Sequence, residues 1–234
     1  MSEKPYTVIH EDDRIIVVNK SNNLLVHHSY YARNIREESL VQQLKTARDI
    51  FPVHRLDRKT SGIMVFAKDQ LSARDLQGQF EAHSVQKTYI AIVRGYTDEE
   101  GLIDSPVKNE DSGQYSEALT SYKTIERVEL NVPVSPYDSA RYSLIQFSPS
   151  TGRMHQLRKH ANKIAHPIIG DPKYGNRHHN HMFEDRFGHA MLYLHARKIS
   201  FMLNGSKYMF QAAFPEFWEK NLPNLGFKTD IELL

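Results

Sequence analysis

The chain has no cysteine, a single tryptophan in 234 residues and no apolar run approaching the length of a membrane span. Without cysteine there are no disulfides and no thiolate-held metals, and the cytoplasm becomes the expected compartment. Without a long apolar run no spanning helix is expected, and the polar start from Met1 to Tyr6 is unlike a secretory leader. Also missing are a phosphate-cradling glycine loop of the P-loop or dinucleotide type, internal repeats and low-complexity tracts. Excess charge is small, with 30 Lys and Arg against 28 Asp and Glu, a net +2.

What is present is material for a core. Hydrophobic residues make up 40% of the chain and charged residues 25%, which suits one soluble globular domain over residues 1–234. The charge is unevenly spread. From Arg141 to Lys207 eleven Lys and Arg stand against three acids, while from Asp98 to Glu117 seven acids stand against Lys108 alone. A basic half beside an acidic stretch fits a face that meets a polyanion, as does scattered solvated charge.

The chemistry concentrates between Val53 and Asp69, in His54-Arg55-Leu56-Asp57-Arg58-Lys59-Thr60-Ser61-Gly62 and the apolar run Ile63 to Ala67. The run is short enough for a buried strand. Asp57 therefore lies on a loop anchored by a rigid element, where catalytic groups tend to sit, and its flanking cations favour the charged carboxylate. From spacing alone, a catalytic carboxylate and a turn aspartate locked by its arginines are equally good readings.

The pattern His-Arg-Leu-Asp-x-x-Thr-Ser-Gly before an apolar strand resembles the signature of the RluA family of pseudouridine synthases, whose catalytic residue is that Asp. Three further stretches carry the resemblance. Lys87-Thr88-Tyr89-Ile90-Ala91-Ile92-Val93-Arg94-Gly95 is similar to the family's second motif, whose tyrosine stacks on the target uracil. Thr151-Gly152-Arg153-Met154-His155-Gln156-Leu157-Arg158 is similar to the third, whose last arginine pairs with the catalytic carboxylate. Leu192-Tyr193-Leu194-His195-Ala196 is similar to a fourth, which packs an apolar side chain on the base; alternation fixes only that Leu192 and Leu194 share a face, and Leu194 is favoured. The resemblance thus implies Asp57, Arg158 and Tyr89 as catalytic residues, with Arg55, Leu194, Arg153 and His155 binding substrate. One departure is Asn19-Lys20-Ser21-Asn22-Asn23 where the family has Asn-Lys-Pro and then Gly, a turn variation that Asn tolerates.

Pattern gives the remaining elements. Tyr6 to His10 and Arg14 to Lys20 read as strands, Glu38 to Ile50 and Asp69 to His83 as helices, and Gln86 to Gly95 as an interior strand. Asp98 to Ser116 reads as loop with at most one short strand, and Leu119 to Glu129 and Ala140 to Phe147 as long strands. A helix opens at Ser150, with His155, Arg158 and Asn162 on one face. Asn176 to His189, with His178, His179, His181 and His189, reads as a flexible RNA-contacting loop rather than a metal site. A hairpin turns at Asn204-Gly205, and Phe214 to Leu222 is a closing helix.

The expected fold is α/β with a mixed, largely antiparallel central sheet and flanking helices. The implied activity is isomerisation of a uridine in RNA without metal or organic cofactor. The base must leave its stack to react, and the carboxylate either attacks C1′ or removes the C2′ proton. Within the family, the motif text and compact build most resemble the members that modify uridine 65 in the TΨC stem of tRNA, ahead of those acting on large-subunit rRNA. The expected protein is a cytoplasmic monomer that binds tRNA and no membrane. Competing readings are a non-catalytic RNA-binding module and a hydrolase, though no second carboxylate lies near Asp57 in sequence.

Overall fold

The structure is a computed structural model that describes residues 5–28, 36–46, 49–188, 191–230 and 234. The chain gathers into two compact units, Met1–Gln86 with Ala196–Ala213, and Lys87–His195 with Phe214–Leu234.

In the first unit, β1 (Tyr6–Glu11) and β2 (Ile15–Lys20) pair antiparallel across a turn closed by Asp12, whose Oδ1 accepts the Arg14 and Ile15 amides at 2.8 Å. The run Ile15 to Val18 is fully buried, as a strand apolar on both faces must be. β2 pairs antiparallel with β4 (Ser61–Ala67), every residue of which is buried, and β3 (Phe51–Pro52) pairs with the far end of β4. The next neighbour of β4 is β11 (Leu194–Leu203). Gly62 permits this: at φ +114° a side-chain carbon there would lie 2.3 Å from the carbonyl oxygen of Ala196. β12 (Ser206–Gln211) folds back on β11 through Asn204 and Gly205, both at positive φ, the two-residue turn that the Asn-Gly pair predicts.

Two helices complete this unit. α2 (Gln70–Glu81) starts at the Asp69 cap and buries Ala73 and Leu76, as its periodicity predicts. α1 (Leu40–Lys45) is shorter than the expected Glu38 to Ile50. It opens with a Ser39–Gln42 capping box and closes at Thr46, and Asp49 and Ile50 are not helical; Ala47 lies outside the described residues.

The second unit is built on antiparallel strands in the order β5 (Gln86–Arg94), β10 (Ala140–Pro149), β9 (Leu119–Leu130) and β6 (Glu100–Asp104). β5 and β10 are apolar on both faces, and each face carries a core. Ile90, Ile92, Tyr142 and Leu144 pack with Trp218 and Leu222 of α5 (Glu216–Asn224). Ala91, Val93, Ile145 and Phe147 pack with Leu157 and Ala161 of α3 (Gln156–Lys163). Burying this much aliphatic and aromatic area, at about 25 cal/mol per Å², is what holds the sheet between its helices.

Three expectations are corrected here. The acidic stretch is not mainly loop, since β6 pairs with β9 and a hairpin of β7 (Val107–Lys108) and β8 (Tyr115–Ser116) follows. The histidine-rich stretch is a helix, α4 (Arg177–Phe187), capped by Asn176, ended by Gly188 and anchored by buried His179 and Phe183. The motif-three helix begins at Gln156, because His155 takes a left-handed conformation (φ 57°) and stands at the residue before the helix instead of on its face.

Candidate active site

The Asp57 loop, residues 53–60, is fastened along its length. His54 Nε2 accepts the Val65 amide at 2.9 Å while its ring stacks on Phe80 at 4.7 Å. Thr60 closes a turn by donating to the Asp57 carbonyl at 3.1 Å. The remaining ties run to the turn after β2. Lys20 Nζ donates to the carbonyls of Ser21, Leu24 and Arg58 at 2.8, 3.1 and 3.0 Å. Asn22 Nδ2 donates to the Lys59 carbonyl at 2.7 Å, and Arg58 Nε to the Asn23 carbonyl at 2.9 Å. Asn23 sits at φ 64°, so the departure from the family's glycine is absorbed by an Asn in left-handed backbone.

Lys20 has no exposed surface at all. A buried ammonium is costly unless all three protons find acceptors, and here they do. Burial drives its pKa from 10.5 down to about 7; the charge of Asp57 pulls it back up and that of Arg58 adds to the fall. The carboxylate and the hidden ammonium thus share one local field. Arg55 is exposed and half-buried His27 is lowered, first by burial and then by the Arg55 charge.

The other predicted site residues lie in the second unit. Tyr89, half-buried on β5, packs on the cluster that contains Leu194, Leu157 and Ala161, so the structure gathers Tyr89 and Leu194 on one core. Arg158, 6% exposed, makes a two-bonded pair with Asp171, Nε to Oδ2 at 2.7 Å and Nη2 to Oδ1 at 2.8 Å, and its guanidinium lies 5.1 Å from the Tyr174 ring centre. Asp171 Oδ1 also accepts the Lys173 and Tyr174 amides at 2.9 and 3.0 Å. Burial alone would raise this carboxyl; Arg158 and the two amides outweigh it and hold the pKa below its ordinary value.

Around Arg158 the third motif is built as a hydrogen-bonded frame. Gln156 Oε1 accepts from Thr151 Oγ1 and the Arg153 amide at 2.7 and 2.9 Å, and its Nε2 donates to the Leu119 carbonyl and Thr120 Oγ1 at 3.1 and 3.0 Å. His160 bridges Thr120 Oγ1 and the Ser105 carbonyl, both at 2.9 Å. Arg153 is exposed and donates from Nε to the Glu117 carbonyl at 3.1 Å, and His155 Nδ1 lies 3.0 Å from the Tyr174 hydroxyl. Sequence reading missed Lys20, Asp171 and Tyr174. Asp171-Pro172-Lys173 looks like any turn, and nothing in a text marks a lysine as buried.

Residues 14–163, which include Asp57, Tyr89 and Arg158, match the family described as RNA pseudouridylate synthase. The chain is 40% identical over 208 residues, 83% of its length and 84% of the relative's, to tRNA pseudouridine synthase C of Haemophilus ducreyi. It is 33% identical to tRNA pseudouridine synthase C of Vibrio cholerae, across 96% of this chain and 97% of the other. Among solved structures, human RNA pseudouridylate synthase domain containing 4 superposes with a TM-score of 0.72 at 25% identity, over 95% of this chain and 94% of that one. The domain-containing 1 protein gives 0.71 at 23% identity, over 90% and 84%. The chain belongs to the RNA pseudouridylate synthase family, and it is an isomerase.

Proposed function

We propose that this isomerase acts on tRNA, converting uridine 65 of the TΨC stem to pseudouridine with Asp57 as its catalytic carboxylate. The observation that carries the reading is the activity named for the relatives from H. ducreyi and V. cholerae, both tRNA pseudouridine synthases. The tethering of the Asp57 loop to β2 and β4 supports it, because a carboxylate that must meet one sugar carbon of a bound RNA gains from a fixed backbone.

The reaction breaks the N1–C1′ bond, turns the uracil and forms a C5–C1′ bond; the C5 proton leaves and N1 gains one, so nothing is oxidised. Asp57 begins it, either by attack on C1′ or by taking the C2′ proton. The uridine is flipped from its stack, which costs a few kcal/mol. Arg55 fills the gap, Tyr89 and Leu194 hold the uracil by its faces, and Arg153 and His155 contact the RNA. Arg158 is the basic residue that the family motif supplies to its carboxylate. We place the protein in the cytoplasm as a monomer working through one catalytic domain.

The test is a tRNA transcript carrying tritium at uracil C5, followed by mapping of the modified position. The wild type should release tritium from position 65. Asp57→Ala should release none while binding the transcript within a few-fold. Release from an rRNA fragment with tRNA untouched would move the target, and an active Asp57→Ala variant would end this mechanism.

A further inference from the structure

The β7–β8 hairpin carries Glu110 at its tip, and the tip is shaped by its own bonds. Asn109 Oδ1 accepts the Asp111 and Ser112 amides at 2.8 and 3.3 Å, and the Asn109 and Gln114 main chains join at 2.7 Å. This places the Glu110 carboxylate between two ammoniums from different elements, Lys159 of α3 at 3.1 Å and Lys173 of the following connector at 3.0 Å. Tyr174 completes the group. Its hydroxyl lies 3.3 Å from Glu110 Oε1, and the Lys159 and Lys173 ammoniums lie 5.7 and 5.3 Å from its ring centre. The hydrogen bonds from Lys173 and then Lys159 draw the Glu110 pKa down to about 2.

Two ammoniums aimed at one point repel each other unless an anion lies between them. Asp171 does not serve, since it is 1% exposed and pairs with Arg158. The anion here is a glutamate on an exposed turn, carried by strands of two residues each. Its two oxygens stand as the two non-bridging oxygens of a phosphodiester would. Surface ion pairs of this kind are weak and screened by salt, whereas RNA presents the same charge on every nucleotide.

We propose that Lys159, Lys173 and Tyr174 form a backbone-phosphate subsite for RNA, held in the free protein by the Glu110 carboxylate and vacated when a phosphate replaces it. The proposal rests on the family's RNA substrate and not on which uridine is modified.

The test is equilibrium binding of an unmodified tRNA transcript, and of an unrelated RNA duplex, by the full chain across a salt series. Glu110→Gln should bind both RNAs about 2- to 5-fold more tightly, the scale of an exposed ion pair removed from competition. Lys159→Met and Lys173→Met should each weaken binding to both RNAs and flatten the salt slope by about one. Glu110→Gln made on the double lysine variant should bring no gain. Equal or weaker binding by Glu110→Gln, with its thermal unfolding unchanged, would overturn the subsite, as would lysine variants that keep the wild-type slope. Failure of the uridine 65 assignment would instead appear in the mapped position and leave these slopes as they are.

Discussion

Arg158 and Asp171 are joined by two parallel charge-assisted hydrogen bonds in a nearly dry setting, the arginine 6% and the aspartate 1% exposed. The fork geometry fits a carboxylate as no lysine can. The pair fixes the one motif-three arginine that sequence resemblance singles out, and it does so with a residue that resemblance did not name.

Asp171→Asn should therefore be costly. It takes away the charge that two hydrogen bonds set against a buried guanidinium, a loss of up to about 3–5 kcal/mol, readable as a drop in the urea midpoint. The wild-type pair also has a pH signature. The Asp171 carboxyl is depressed in the fold, so its contribution is complete above the ordinary value of 3.8 and fades as pH falls through the lower folded value. Asp171→Asn should lack that part of the acid limb.

Lys20 gives the opposite limb. Its pKa in the fold is about 7 against 10.5 when solvated, so between those values the unfolded chain binds more protons and stability rises with pH. Urea unfolding of the wild type should show this rise from pH 7 to 9, and Lys20→Met should flatten it. Methionine also leaves the Ser21, Leu24 and Arg58 carbonyls without their shared donor, so turnover should fall although position 20 is sealed from solvent. A Lys20→Met enzyme with wild-type kcat would detach Lys20 from the setting of Asp57.

The His179–Tyr142 bond, 2.8 Å between Nδ1 and the hydroxyl, sits inside the second unit. Burial lowers the His179 pKa from 6.5 to about 4, with the charges of Arg94 and His178 adding to it. Charging this ring opposes folding, so stability should be full above pH 6.5 and decline as pH falls toward 4. Tyr142→Phe should cost about 1 kcal/mol for the lost bond while keeping that decline. His179→Phe should remove the decline, as measured by thermal unfolding between pH 7 and 4.5.

Much of this was legible in the sequence. Asp57 and Arg158 stand in motif text, β5 and β10 announce themselves by apolar runs, and Asn204-Gly205 dictates its turn. The failures share a cause, which is structure held by contacts distant in sequence. β6 buries only Ile103 fully, so it has little alternation and exists because β9 offers it a partner. α4 looks like loop because two residues, His179 and Phe183, anchor an otherwise polar turn-former. His155 adopts the left-handed backbone that ordinary propensity assigns to Gly or Asn, which shifts the start of α3 and takes the histidine off the face where periodicity had put it. Glu110 is one acid among the seven between Asp98 and Glu117, and its two lysines lie 49 and 63 residues downstream.

Gly62 gives the Asp57 loop an exit decided by main chain alone, since nothing larger than hydrogen fits against Ala196. A codon randomised there and selected for modified RNA should return a single amino acid. The strictest position in the neighbourhood of the carboxylate would then be one that bears no functional group.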